Sequence, residues 1–165
     1  MYTCNPITQR ERNRGFSLME ILVTLIVLSI GLLGLAGLQL SSLQDNHSAY
    51  LRSQATIMAG NIIDRMRANR TIARSGDYDI ALGASAATPA SSCNGSASDN
   101  CTPAEMATLD LSEWKTDLAD TLPSGDGSIS RTTLAGDQIL ATVTVQWDDS
   151  HGTQAAVQLP IESLL

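Results

Sequence analysis

Basic and aromatic residues are scarce in this chain of 165 residues, which contains one Lys, two His and one Phe. Its formal net charge is −7, which argues against nucleic-acid binding because such proteins need a basic face. The sequence also lacks a serine-hydrolase elbow, a zinc-protease motif and a phosphate-binding loop. We therefore predict that the protein is not an enzyme, and we expect no catalytic, cofactor-binding or metal-binding residues.

Charged residues are also absent between Glu20 and Asp45, where the sequence is mostly Leu, Ile, Val and Gly. The run 21–40 is long enough to span a bilayer, because a membrane helix needs about 20 apolar residues. Three arginines lie within residues 1–15, so the positive-inside rule places that end in the cytoplasm. We predict a single membrane span with the rest of the chain outside the cytoplasm.

A secretory signal peptide is an alternative interpretation of this segment, since Gly34-Leu35-Ala36 looks like a small-x-small cleavage site. Two features oppose it. A signal peptide gains nothing from Glu20 at the entrance of the apolar run, and the helical spacing of apolar residues continues past the site with Leu40 and Leu43. We therefore expect the span to be retained.

The residues in front of the span read Arg14-Gly15-Phe16-Ser17-Leu18-Met19-Glu20. This motif closely resembles the class III leader of type IV pilins and pseudopilins. The resemblance implies that prepilin peptidase cleaves between Gly15 and Phe16 and methylates the new N-terminus at Phe16. It also implies an assembly role for Glu20, whose carboxylate is costly in a membrane unless it is paired. The amine of Phe16 lies one helical turn away and can neutralise it, in the same subunit or a neighbouring one.

The sequence divides the chain into four segments. The leader, residues 1–15, is expected to be removed. Residues 16–40 are predicted to form a transmembrane and filament-core helix, and residues 41–74 the amphipathic half of the same helix. Residues 75–165 are predicted to form a periplasmic head.

The head pattern predicts a loop, a helix and then strands. Residues 75–101 are rich in Gly, Ala and Ser, which is typical of a loop. Thr102-Pro103-Ala104-Glu105 has the form of a capping box with Pro at the first helical position, and predicts a short helix ending near Leu122. Strand patterns follow, separated by turn residues, over 128–134, 138–147 and 153–161. The expected fold class is α+β and type IV pilin-like: a long N-terminal helix packed on a small antiparallel sheet, with a short extra helix.

Cleavage of the leader would reduce the number of cysteines in the chain. Cys4 is then lost, and Cys93 and Cys101 remain as an even pair in an oxidising compartment. A single C-x7-C pair without a histidine cluster is poor spacing for a metal site. We therefore expect a structural disulfide between Cys93 and Cys101.

Charge is distributed unevenly between the amphipathic half of the predicted helix, residues 41–74, which we call the neck, and the head. Arg67, Arg70 and Arg74 share one face at the end of the predicted helix, whereas the residues that follow are strongly acidic. A solvated stripe that interacts favourably with the helix dipole is the favoured interpretation of the arginines. A contact with an acidic partner is the alternative, and an acidic head on a basic neck suggests contacts between subunits.

The resemblance to the pilin family extends along most of the chain. Segments that look like those of PilV-type minor pilins are 29–39, 64–70 and 143–147, together with Trp114 followed by 122–125. This resemblance implies a minor pilin needed for type IV pilus assembly, which supports twitching motility and adhesion. It would prime the fibre with other minor pilins at the inner-membrane assembly machinery, ahead of the major pilin. It would then sit at or near the fibre tip, in contact with a tip adhesin.

Other classes of protein fit the sequence less well. A minor pseudopilin of a type II secretion system shares the leader and the fold plan, and it is the alternative. In a major pilin the disulfide loop would bracket the last part of the chain, whereas these cysteines precede the predicted strands. A membrane-anchored periplasmic enzyme is disfavoured because no catalytic constellation is visible.

Overall fold

The part of the chain that the structure describes comprises residues 15–93, 101–150, 152–153 and 155–165 of a computed structural model. The chain divides into two compact units, Met1–Gln44 and Asp45–Leu165. The division falls where charged residues return after the apolar run. The second unit contains the core cluster of buried apolar residues.

Helix α1 covers Leu18–Ala68 and is continuous through the glycines of its apolar half. It begins after Ser17, whose Oγ accepts a hydrogen bond from the Glu20 backbone N–H at 3.2 Å. This contact satisfies one of the amides that a helix N-terminus leaves without a partner. The hydroxyls of Thr24 and Ser29 donate to backbone carbonyls one turn earlier, so these polar side chains are satisfied within the apolar run.

The predicted single helix ending at Arg74 is instead two helices. Helix α1 ends at Ala68, and a separate helix α2 covers Arg70–Ser75. At the break, the Asn69 side chain donates a hydrogen bond to the Pro103 carbonyl at 2.6 Å. Asparagine is a weak helix former whose side chain competes for backbone partners, so this distant contact favours a break at Asn69.

The remaining elements of the head follow the predicted order. A single 3-10 turn covers Ser91–Cys93, and helix α3 covers Pro103–Thr121 behind the predicted capping box at Thr102. Three antiparallel strands, paired in the order β1-β2-β3, are β1 Asp126–Leu134, β2 Gln138–Trp147 and β3 Val157–Leu164. Strand β3 begins four residues later than the 153–161 pattern predicts. The predicted fold class, a long helix with a small antiparallel sheet and a short extra helix, is confirmed.

The core of the second unit lies between the helices and one face of the sheet. Alternate side chains of β2 are buried there, which is the period of a strand with one face covered. Helix α1 contributes residues three or four apart, as expected for one helical face. Among the buried residues are Leu51, Ala55, Ala59, Ile62, Met66, Trp114, Leu118, Ile139, Ala141, Val143, Val145 and Trp147.

Candidate functional site

The proposed cleavage point lies at the first described residues. Gly15, Phe16 and Ser17 precede α1 without helical structure, and the Phe16 side chain is 80% exposed. A peptidase acts on exposed chain that is not held in secondary structure, so this segment has the accessibility that cleavage requires. The rest of the predicted leader, residues 1–14, lies outside the described residues.

Glu20 lies in the first turn of α1, where a helix N-terminus favours a negative charge. The leader motif predicts that it pairs with the mature N-terminus. We did not predict the cap that Ser17 provides to the same turn, although the sequence contains the Ser-x-x-Glu spacing of a helix start. The helix therefore begins two residues after Phe16, and Glu20 is fixed within its first turn.

The apolar half of α1 has no partner within its unit. Every residue from Gly15 to His47 is exposed, including the whole run of large apolar side chains. Soluble monomers rarely leave an apolar surface of this extent in water. Among the described residues, α1 is the helix that is long and apolar enough to cross a membrane. Such a surface is suited to contact with lipid and, after assembly, to contact with apolar helices of other subunits.

A partly buried polar network joins the C-terminal end of α1 to α3. The Arg65 guanidinium contacts the carboxylates of Asp110 at 3.1 Å and Glu113 at 2.6 Å. Asp110 is 7% exposed and also accepts a hydrogen bond from the hydroxyl of the buried Tyr78. Burial raises the pKa of Tyr78 above its ordinary value of 10.0, and the hydrogen bond to Asp110 adds to that effect. The network fixes the orientation of α3 on the neck.

This network predicts alkaline sensitivity that depends on Tyr78. Because its pKa is raised on folding, the unfolded chain ionises first as the pH passes 10, and stability falls from there upward by at most about 1.4 kcal/mol per pH unit. Urea unfolding of the detergent-solubilised chain, followed by tryptophan fluorescence from pH 8 to about 11, should show this fall in the wild type. Tyr78→Phe should reduce the slope. Tyr50→Phe, which alters an exposed tyrosine, should keep the wild-type slope, and equal slopes in all three proteins would contradict the assignment.

The single lysine is part of a second polar cluster. Lys115 is mostly buried, forms an ion pair with Asp126, and donates to the Gly127 carbonyl at 2.7 Å. Burial alone would raise the pKa of Asp126, but hydrogen bonds from Lys115 and from the Gly83 backbone N–H outweigh it, and the pKa is lowered. Lys115 therefore holds the start of β1 to α3, a role that the sequence did not indicate.

Cys93 and Cys101 form a disulfide with a Cα–Cα distance of 5.1 Å. It joins the 3-10 turn to the residue before the Thr102 cap of α3. The Glu105 carboxylate lies near the two sulfur atoms, and these three side chains are the group among the described residues that could hold a metal ion. A metal binds the thiolate, which the disulfide does not provide, and the Glu105 carboxylate already accepts from the Thr102 backbone at 2.8 Å. The geometry supports a structural bond.

Loss of this disulfide should destabilise the head without changing its fold. Replacing both cysteines by serine is expected to lower the free energy of unfolding by roughly 2–3 kcal/mol, since the closed loop is short. Urea unfolding of the full-length chain in detergent measures this loss. Dithiothreitol should produce a similar loss in the wild type and none in the Cys93→Ser/Cys101→Ser variant. A variant as stable as the wild type would show that the bond contributes little.

The arginine face predicted from the sequence borders an open depression of about 550 Å³. We call this depression the arginine pocket. It is lined by Arg67, Arg70, Arg74, Gly136, Asp137, Gln138, Leu164 and Leu165. Arg67 and Arg74 form ion pairs with Asp64 and Asp137, so these two arginines are not simply solvated.

Two family models match consecutive parts of the chain. Residues 10–36 match the Prokaryotic N-terminal methylation motif, and residues 37–112 match the model described as Type IV pilin Tt1218. No curated protein and no solved structure matches the chain. The fold and the exposed leader junction, taken with these matches, define a structural, non-enzymatic subunit. The chain carries a type IV pilin domain behind a prepilin methylation motif, and these two features support the role of a pilin.

The matches also fix where the protein resides. A class III leader followed by a long apolar helix places it in the inner membrane as an anchored pilin, which is later assembled into the pilus. Processing by prepilin peptidase, and assembly with the pilus machinery and other pilins, follow from the same motif. The matches support the broader part of the prediction, a type IV pilin, and the prediction that the protein is not an enzyme is confirmed.

Proposed function

We propose that this chain is a minor pilin of the PilV type. In this role it primes the type IV pilus with other minor pilins, stays at or near the fibre tip, and supports twitching motility and adhesion. The observation that carries the proposal is the position of the disulfide, which closes before α3 and the sheet. No cysteine follows Cys101 in the sequence, so the strands lack the C-terminal disulfide loop expected of a major pilin.

The proposed maturation takes place at the start of α1. Prepilin peptidase cleaves between Gly15 and Phe16 and methylates the amine of Phe16. The exposed, non-helical chain at these residues supports this step. The new amine then lies one turn before Glu20, whose position in the first helical turn suits a charge pair within the subunit or with the next one.

The proposed partners are other minor pilins, the major pilin and a tip adhesin, brought together by the inner-membrane assembly machinery. The exposed apolar surface of α1 supports contacts with pilin helices in a fibre core. The strongly acidic head supports selective contacts with sister subunits, because charge complementarity favours some partners over others.

An in-frame deletion tests the proposal, with sheared surface pili and secreted exoproteins scored from the same cultures. Lost or sparse pili with normal secretion, restored by the wild-type gene, is the expected result. Normal pili with failed secretion would move the protein to a type II secretion system as a minor pseudopilin. Normal pili and normal secretion would contradict both assignments.

A further inference from the structure

The two sulfur atoms of the head disulfide differ in their accessibility. Cys93 is buried, with 6% of its surface exposed. Cys101 is only partly buried, and it precedes the Thr102 cap of α3. The rate of thiol–disulfide exchange depends on which sulfur atom a thiolate can reach. A thiolate from outside the protein therefore reaches Cys101 Sγ more readily than Cys93 Sγ.

The Glu105 carboxylate places a negative charge beside this disulfide. One of its oxygen atoms lies within 4.8 Å of both sulfur atoms. The carboxylate accepts hydrogen bonds from the backbone N–H and the hydroxyl of Thr102, both at 2.8 Å, so the capping box holds it in place. The sequence between Ser75 and Trp114 contains no Lys, Arg or His, so no basic residue of this segment offsets the charge.

The start of α3 combines two opposing electrostatic effects. A helix N-terminus carries about half a positive charge, which attracts a thiolate and stabilises it. Glu105 lies in the first turn of the same helix and carries a full negative charge, so the negative effect is the larger one. The capping box alone does not require this charge, because a glutamine at the same position also completes it.

We propose that Cys101 Sγ is the site at which this disulfide exchanges with external thiols, and that Glu105 selects against anionic thiols there. In the exchange, the sulfur of an external thiolate bonds to Cys101 Sγ, and the bond between Cys93 and Cys101 breaks. The electron pair of that bond stays on Cys93 Sγ, which then takes a proton from water. The products are a mixed disulfide at Cys101 and a free thiol at Cys93.

The class of thiol that this site disfavours carries carboxylates of its own, as glutathione does. Such a thiol brings additional negative charge towards Glu105 when it approaches the exposed sulfur atom. The carboxylate therefore protects the bond from anionic reductants while the capping box keeps its form. This inference concerns the disulfide alone, and it does not depend on whether the chain is a minor pilin.

Mass spectrometry identifies the sulfur atom that is attacked. The full-length chain with Cys4→Ser, in an uncharged detergent, is mixed briefly with 2-mercaptoethanol and then treated with iodoacetamide. The mixed disulfide should be found on Cys101 and the carbamidomethyl group on Cys93. A mixed disulfide found mainly on Cys93 would overturn the assignment of the exchange site.

Exchange rates with three thiols of different charge test the role of Glu105. These are mercaptoethanesulfonate, which is anionic, 2-mercaptoethanol, which is neutral, and cysteamine, which is cationic. Glu105→Gln should raise the rate with 2-mercaptoethanol about fourfold at low salt, the factor that Coulomb's law gives for two unit charges roughly 5 Å apart in water. The increase should be larger with mercaptoethanesulfonate and smaller with cysteamine, and high salt should reduce these differences.

The ratio of variant to wild-type rate removes the intrinsic reactivity of each thiol from the comparison. A loosened helix start would raise all three rates by one common factor, so equal ratios for the three thiols would contradict a role for the charge. Asp117→Asn is the matched control, since it removes an exposed carboxylate roughly 18 Å further along α3 at 1.5 Å per residue. It should leave all three rates unchanged, and a response equal to that of Glu105→Gln would also overturn the proposal.

Discussion

Replacing Gly15 with valine is expected to leave the chain as an uncleaved precursor in the inner membrane. A β-branched side chain beside the scissile bond restricts the backbone and occupies space that glycine leaves empty. A peptidase site that accepts glycine should discriminate against this change by roughly a hundredfold. An immunoblot that separates precursor from mature chain measures the effect.

The same substitution further along the span provides the control. A Cβ at Gly37 would meet no heavy atom within 4 Å, so Gly37→Val introduces the same side chain without steric conflict in the subunit. It should be cleaved like the wild type. If Gly15→Val is also cleaved at the normal rate, the cleavage site between Gly15 and Phe16 is wrong.

Glu20→Ala is expected to be cleaved normally but to enter the fibre poorly. The mature amine of Phe16 would then carry an unpaired positive charge into an apolar surrounding, which costs several kcal/mol. The fraction of the chain recovered in sheared fibres should fall by about tenfold or more. Immunoblots of the fibre and membrane fractions measure this ratio.

Ser17→Ala tests whether Glu20 acts through its charge or through the capped start of the helix. This change removes the cap that Ser17 provides to the Glu20 backbone, at a cost of about 1 kcal/mol, and leaves the carboxylate in place. Incorporation should stay near the wild-type level. Equal losses for Ser17→Ala and Glu20→Ala would indicate a helix-capping role, and wild-type incorporation of Glu20→Ala would contradict the charge pair.

Elements with strong local signals were predictable from the sequence. Strand β2 has the predicted bounds, Gln138–Trp147, because every second residue from Ile139 to Trp147 is apolar. Helix α3 begins at Pro103 because a capping box and an N-terminal proline are local chemistry that needs no partner elsewhere. The leader motif is equally local, since all its residues lie in one short stretch, and the class of protein could therefore be predicted from that stretch.

Strand β3 shows how pairing overrides local pattern. It starts at Val157, which is paired with Trp147, and its bounds follow from the register with β2. That register places Pro160 opposite Thr144 in a strand at the edge of the sheet, where a missing N–H can face away from the ladder. A single sequence does not contain this register, so the predicted strand was displaced.

The polar networks could not be predicted because their members are far apart in the chain. Asp110 accepts from Tyr78, 32 residues away, and from Arg65, 45 residues away. A carboxylate in a helix is ordinarily expected to be exposed, and it is the two distant partners that permit its burial. The helix break at Asn69 has a similar origin, since the distant carbonyl of Pro103 favours it.

The N-terminus of the chain recovered from sheared fibres tests the central claim most directly. Mass spectrometry of the N-terminal peptide should show a mature chain that begins at Phe16, with one methyl group on its amine. A fibre-borne chain that begins at Met1 or directly after Ala36 would contradict this account. So would the absence of the chain from fibres of cells that contain it in the membrane.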